Sequence, residues 1–396
     1  MLETEVNAES DRLGVTFERD GSVTLNATQH VGIVSLPNGP TIEIRPKVPR
    51  LNLLLMLRYA QDIDTSTIDQ QTAITAGQTF IEALAALYQT ELKNVLSQGL
   101  HRDYRRTSGA EKHLRGRLDL QQQLQRQGYA PTRFECTYDE LTYDTTVNRA
   151  ILYATTVLSR LLRDRDLSRR LNHHRQLMRR RVTLTPVRLA DLERIELTRL
   201  SAYYTDLLRL TKLVLRSIFV RDLRAGDRAS FALLVDMNQV FEAVAGRAVT
   251  EALHAWKGWS VETQVSSYDL LSGKPDVQIR PDILVRDEQG EPVLVGDVKW
   301  KTERPSNSDF YQLVAYQVAH DVPGVLLYPE QDGAIEAQYT VRNGHPLHLV
   351  ELPIACHEID FEIFRTRLEH SLRERLQPLL RYSSASPETP KDQSRS

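Results

Sequence analysis

Two short runs rich in Val, Ile and Leu, Pro281-Asp282-Ile283-Leu284-Val285 and Val293-Leu294-Val295-Gly296-Asp297-Val298-Lys299-Trp300-Lys301, flank the polar segment Arg286-Asp287-Glu288-Gln289-Gly290-Glu291-Pro292. Strand formers on both sides of a Gly- and Pro-bearing turn predict a β-hairpin. If that hairpin is symmetric about the Gln289-Gly290 bond, Asp282 faces Asp297 on the neighbouring strand, close enough to share one ligand. Lys299 lies two residues past Asp297, so the strand period puts it on the same face. Two carboxylates and one ammonium then converge at the edge of a sheet.

Carboxylates held this close repel unless a cation or a proton sits between them. A hard divalent ion such as Mg2+ is the usual solution, and it keeps several waters. Lys299 would hold or activate such a water, or neutralise charge developing on a phosphate. That describes a phosphodiester-hydrolysis site. The alternative is a solvated hairpin carrying a weak surface Asp–Lys pair, and the short PD…DxK string does not separate the two.

The 396 residues suffice for a large core divided among two or three domains. No apolar run reaches membrane-spanning length and the first residues are acidic, so the expectation is a cytoplasmic protein with no membrane contact. Cys136 and Cys356 stand far apart without a CxxC, which supports neither a disulfide framework nor a structural zinc site. With a formal net charge of −2, attraction to a polyanion must come from local clusters of basic residues. The strongest such cluster lies in 160–181, with Arg169-Arg170, His173-His174-Arg175 and Arg179-Arg180-Arg181. Its ordinary reading is a solvated helix face.

Along the chain, residues 13–48 alternate short β-rich runs with turn residues and predict a small antiparallel sheet or partial barrel. Helices are expected at 51–59, 78–98, 199–220 and 237–256, and 99–144 reads as loops with basic strings. Arg224-Ala225-Gly226-Asp227-Arg228 marks a domain boundary. Beyond it, strands near 260–265, 281–285, 293–300, 325–328, 339–341 and 347–352 alternate with a helix at 309–319, as in a mixed sheet flanked by helices. An amphipathic helix closes at 360–380, and 383–396 reads as a disordered tail.

Glu242 falls on the helix just before these strands, where a third carboxylate can complete a metal shell; its alternative role is the polar border of an amphipathic face. Gln312 and Tyr316, spaced i,i+4, share one helix face after the hairpin. The nearby Asp276, in Lys274-Pro275-Asp276, would fall opposite position 303 in the same register and away from Asp297.

The ordered set Glu242, Pro281-Asp282, Asp297-Val298-Lys299 and Gln312…Tyr316 resembles the McrC family, the nuclease subunit of McrBC-type 5-methylcytosine restriction systems, and its PD-(D/E)xK domain with a QxxxY element. In the first half the resemblance rests on Val31-Gly32 through Ile44-Arg45-Pro46-Lys47, Met56-Leu57-Arg58-Tyr59-Ala60, Gly99-Leu100…Tyr104, Leu114-Arg115-Gly116-Arg117 and Tyr138-Asp139-Glu140-Leu141…Asn148-Arg149. Val298 and Trp300 depart from the family's usual Asp-Ala-Lys-Tyr-Lys but leave the charged positions intact.

The resemblance implies an α/β fold: an N-terminal β-rich plus helical region, then a restriction-endonuclease-like domain with a central mixed sheet. It divides the chain into a β-rich domain at 1–60, a mainly helical partner-docking region at 61–224, a nuclease domain at 225–382 and the tail. It implies that Asp282, Asp297 and the Val298 backbone carbonyl bind Mg2+, with Mn2+ as the alternative ion, and that Glu242 assists at the metal. Lys299 would orient the attacking water, and Gln312 and Tyr316 would support the site or contact double-stranded DNA. It implies further that an AAA+ GTPase hexamer resembling McrB is the partner, stimulated by this chain. No GxxxxGK[ST] phosphate loop occurs here, in keeping with nucleotide chemistry in another chain and no small-molecule cofactor in this one. The competing function is a non-catalytic adaptor of that GTPase.

Overall fold

The computed structural model describes residues 14–18, 23–26, 29–35, 41–46, 53–63, 79–126, 132–220, 231–263, 265, 268–271, 277–331, 333, 335–355 and 360–385. Asp276, Cys356, the boundary at 224–228 and the tail beyond 385 lie outside the described residues. The chain forms two compact units, one from 1–75 with 219–396 and the other from 76–218.

The first unit is built on a mixed six-stranded sheet. Its strands run in the order Ser260–Thr263, Ile283–Arg286, Pro292–Val298, Gly324–Pro329, Pro346–Leu352 and Ala337–Thr340. The first three pair antiparallel, whereas Pro292–Val298, Gly324–Pro329 and Pro346–Leu352 pair parallel. A parallel pair requires a crossover, supplied between the first two by the helix Asn307–His320. Every residue of Gly324–Pro329 is buried, as expected for a strand covered on both faces. Leu284, Val295, Leu326 and Tyr328 pack with Leu313 and Tyr316 of the crossover helix in one core. Each such aliphatic side chain contributes about 1.5–3 kcal/mol by leaving water.

A second sheet in this unit joins distant parts of the sequence. His30–Ser35 pairs antiparallel with both Thr41–Ile44 and Phe231–Asp236. It therefore crosses the divisions expected at 60 and 225. Gly32 sits where the strands approach closely: a Cβ there would lie 1.9 Å from the Leu233 carbonyl oxygen. The helix Met237–Ala252 follows directly from Phe231–Asp236, with Asp236 as its N-cap. It packs against Leu53–Ala60 and the closing helix Phe361–Ala385. Tyr59, Arg247 and Arg365 all reach the buried Glu251 carboxylate, which links the three helices.

The second unit contains the helices Phe80–Gln98, Thr146–Leu161, Arg165–Arg179 and Thr205–Ser217. Thr79 and Glu82 form a capping box on the first. Fully buried Asn148 donates to the carbonyls of His101 and Tyr143 and accepts from the Tyr204 hydroxyl, while Arg149 pairs with Asp144. Where the sequence suggested loops, Asp103–Glu111 and Phe134–Thr142 make a nine-pair antiparallel ribbon. Its first strand, DYRRTSGAE, carries no apolar alternation, the signal by which a half-buried strand is read. The closing helix also extends into the expected tail, through Ala385. Among the described residues no helix is long and apolar enough to cross a membrane.

Candidate active site

The hairpin has the expected register. Ile283 faces Gly296, Leu284 faces Val295 and Val285 faces Leu294, which carries Asp282 opposite Asp297; an irregularity enters only near the turn, at Arg286. The turn is closed by Asp287, whose carboxylate accepts the Gln289 and Glu291 amides at 2.9 and 3.0 Å. Gly290 takes the left-handed conformation there, at φ 85°. Local turn chemistry thus holds the register that sets the two aspartates side by side.

Asp282 precedes its strand, and its Oδ2 accepts the Val298 amide at 2.7 Å. Asp297 is wholly buried, and among the described residues its carboxylate accepts from no backbone amide or hydroxyl. The Lys299 ammonium lies 2.8 Å from Asp297 Oδ2. Burial raises the pKa of both aspartates; Lys299 opposes the shift, and the charge of Asp282 adds to it at Asp297. A buried carboxylate that shares a single ammonium with a neighbouring carboxylate is costly. Its oxygens, beside a second carboxylate, are the kind of donor set that suits a hard divalent cation.

Lys299 is itself held. Its Nζ donates to Gln312 Oε1 at 2.9 Å, Gln312 Nε2 donates to the Tyr316 hydroxyl at 2.7 Å, and that hydroxyl donates to the Arg280 carbonyl at 3.1 Å. The i,i+4 pair thereby connects Lys299 on one strand to the backbone just before Asp282 on the other. Glu242 lines a cavity of about 370 Å³ together with Asp282, Val298 and Lys299. Burial, then the charges of Asp282 and Asp236, raise its pKa to about 7. Glu242 stands on the same cavity wall as Asp282, and among the described residues no three His, Cys, Asp or Glu side chains gather into a metal-holding group. Trp300 packs against Phe241 with ring centroids 5.4 Å apart, bringing the helix of Glu242 against the end of the hairpin.

Residues 25–329 match the McrBC 5-methylcytosine restriction system component family. The chain belongs to this McrBC family. A chain of the "half-complex from tetradecameric assembly of Thermococcus gammatolerans McrB AAA+ hexamers with bound McrC" shares the fold. The two are 18% identical, with a TM-score of 0.61, over 94% of this chain and 88% of that one. A chain of the Thermococcus gammatolerans McrBC complex is 22% identical over 58% of this chain and 68% of its own length, with a TM-score of 0.42. No curated protein matches the sequence.

In this McrBC-family chain the structure also assembles residues that carried no signal in sequence. Gln29 lines the cavity and accepts from Asn238 Nδ2 at 2.9 Å, although 209 positions separate them. Only the pairing of His30–Ser35 with Phe231–Asp236 brings Gln29 there. Lys301, the last residue of the hairpin motif, donates to Asp309 Oδ1 at 2.7 Å; Asp309 also accepts from the Ser306 amide and the Tyr328 hydroxyl. Burial alone would raise the Asp309 pKa, but these donors bring it down to about 2. The alternating lysines of DxKxK give the one indication of this second ion pair available from sequence.

Proposed function

We propose that this chain is the DNA endonuclease subunit of a McrBC-type modification-dependent restriction complex, with a PD-(D/E)xK site dependent on Mg2+ or Mn2+. One observation carries the reading: Asp297 is fully buried beside Asp282, with the Lys299 ammonium 2.8 Å from its Oδ2. A scaffold gains nothing from such a group, because a buried carboxylate of this kind weakens the fold.

Asp282 and Asp297, with the Val298 carbonyl, would hold the ion. When bound, the ion would polarise a phosphate oxygen and ease ionisation of a water. Lys299, fixed by Gln312, would orient the attacking water and offset charge gathering on the phosphate. Tyr316 keeps Gln312 and the Arg280 backbone in place, so the relay would hold both strands of the hairpin at a constant spacing. Glu242, with a pKa near neutrality, would exchange a proton at the cavity wall without a large energetic cost. In this reading the nuclease domain lies within 225–382 and works in the cytoplasm on double-stranded DNA. The partner would be an AAA+ GTPase hexamer of the McrB type, as in the Thermococcus assembly, with 61–224 serving to dock it and stimulate its GTP hydrolysis.

The test is cleavage of methylated duplex DNA by the full chain with its AAA+ partner, GTP and Mg2+. Loss of cleavage in Asp297→Ala with GTPase stimulation retained is the expected result. Cleavage at the parental rate by both Asp297→Ala and Lys299→Ala would refute the nuclease. A partner GTPase rate unchanged by the parent chain would refute the activating role.

A further inference from the structure

The hairpin motif ends in a second lysine, Lys301, that the proposed chemistry leaves without a role. The strand Pro292–Val298 ends just before Lys299, whose amide still donates to the Leu327 carbonyl at 2.9 Å. The chain then turns: the Lys301 amide donates back to the Lys299 carbonyl at 3.1 Å, closing a γ-turn around Trp300. Gln331 Nε2 donates to the Lys301 carbonyl at 3.2 Å and fixes the turn. Lys301 thus leaves the strand alternation, yet it lines the same cavity as Asp282 and Lys299.

The two lysines are presented in the same way. Lys299 lies 2.8 Å from Asp297, and Lys301 donates to both oxygens of Asp309 at 2.7 and 3.0 Å. In each pair the carboxylate is buried and the ammonium reaches the surface: side-chain exposure is 1% for Asp297 against 20% for Lys299, and 5% for Asp309 against 43% for Lys301. A molecule entering the cavity therefore meets the ammonium of Lys301 before the anion that anchors it. Anchoring also removes much of the rotamer freedom that a lone surface lysine would lose on binding.

A purely structural role would make Lys301 a tie between the hairpin and the helix Asn307–His320. Asp309 is already supplied without it. The Ser306 amide, the Ser306 hydroxyl and the Tyr328 hydroxyl donate to its Oδ2 at 2.9, 2.8 and 2.8 Å, and it sits in the first turn, where the helix end favours an anion. An ammonium carries three donor hydrogens, so two directed at one carboxylate leave a third for an acceptor in the cavity.

We propose that Lys301 binds a backbone phosphate of the DNA strand being cut, next to the scissile phosphate at Asp282, Asp297 and Lys299. This role rests on the reading of the chain as a nuclease and adds a binding residue to that site. Phosphate fits because one cavity joins Lys301 to the proposed ion site, and a nucleic-acid strand carries a charge at every step. A strand placed with one phosphate at Lys299 brings its neighbouring anions past the adjoining wall. Such a contact positions the strand without reading its bases.

The experiment is single-turnover cleavage of methylated duplex DNA by the full chain with its AAA+ partner, GTP and Mg2+, at complex concentrations spanning half-saturation and at several salt concentrations. Lys301→Gln removes the charge but keeps an amide donor for Asp309, so it separates phosphate binding from the structural tie; thermal unfolding verifies its fold. The expected result is kmax/K½ lowered about tenfold or more at low salt, as for the loss of one charge-assisted hydrogen bond. Its logarithmic salt slope should be smaller in magnitude by about 1, the mark of one lost phosphate contact. Lys301→Arg, which keeps the charge, should restore the slope. A parental slope in Lys301→Gln would overturn the proposal, whatever the change in rate. Parental cleavage in Asp297→Ala would remove the nuclease reading and this proposal with it. Loss of cleavage in Asp297→Ala beside a parental slope in Lys301→Gln would remove the proposal alone.

Discussion

Lys299 Nζ lies 2.8 Å from Asp297 Oδ2 and 2.9 Å from Gln312 Oε1, so one ammonium is shared between a buried carboxylate and a side-chain amide. This sharing gives Lys299 a fixed position without neutralising the whole aspartate pair, since Asp282 remains beside Asp297. Replacing Lys299 by Ala should reduce cleavage about 10²–10⁴-fold, the range for losing a positioned proton-handling group. Lys299→Arg, which retains the charge but not the reach to Gln312, should recover only part of it, as measured by single-turnover cleavage with saturating Mg2+.

Asp297→Asn removes a buried charge while keeping the shape. In EDTA at neutral pH this variant should be as stable as the parent or more so, by roughly 1–3 kcal/mol, since a neutral amide is cheaper to bury than a carboxylate and relieves the repulsion from Asp282. Adding Mg2+ should raise the melting temperature of the parent, because an ion that binds only the folded state stabilises it, and should leave Asp297→Asn unmoved. Equal Mg2+ shifts in both proteins, read by differential scanning fluorimetry, would remove Asp297 from the ion site.

Tyr316 bridges Gln312 to the Arg280 carbonyl from a position only 4% exposed. Tyr316→Phe preserves the packing and deletes the bridge, at a cost of about 1 kcal/mol in stability. If Lys299 depends on the relay for its placement, cleavage should fall about tenfold or more in this variant. A loss of stability with an unaltered cleavage rate would confine Tyr316 to the core.

Asp309 supplies a pH-dependent contribution. Its folded-state pKa of about 2 lies below the ordinary 3.8, so it stabilises the fold above the ordinary value, and that stability is lost as pH falls through about 2. Asp309→Asn should therefore destabilise the protein at pH 7 by about 1–2 kcal/mol, with the difference shrinking below about pH 4. Urea unfolding at pH 7 and pH 3 measures this; a difference that grows on acidification would contradict the sign.

Much of the site was legible because it is local. A strand repeats every two residues and a helix every 3.6, so the turn at Gln289-Gly290 places Asp282, Asp297 and Lys299 on one face, and the spacing of Gln312 and Tyr316 puts them on another. Both relationships hold in the fold. The ribbon of Asp103–Glu111 was not legible, for its polar residues present no apolar period.

The sequence by itself therefore determined the hairpin, its register and the residue types it presents, since these follow from backbone geometry over a few residues. Tertiary structure alone decided that Asp297 is wholly buried, that Glu242 stands on the cavity wall, and that Gln29 reaches Asn238 across 209 positions. The reason is physical: burial and long-range pairing depend on which surfaces the whole chain removes from water together, and no local period records that.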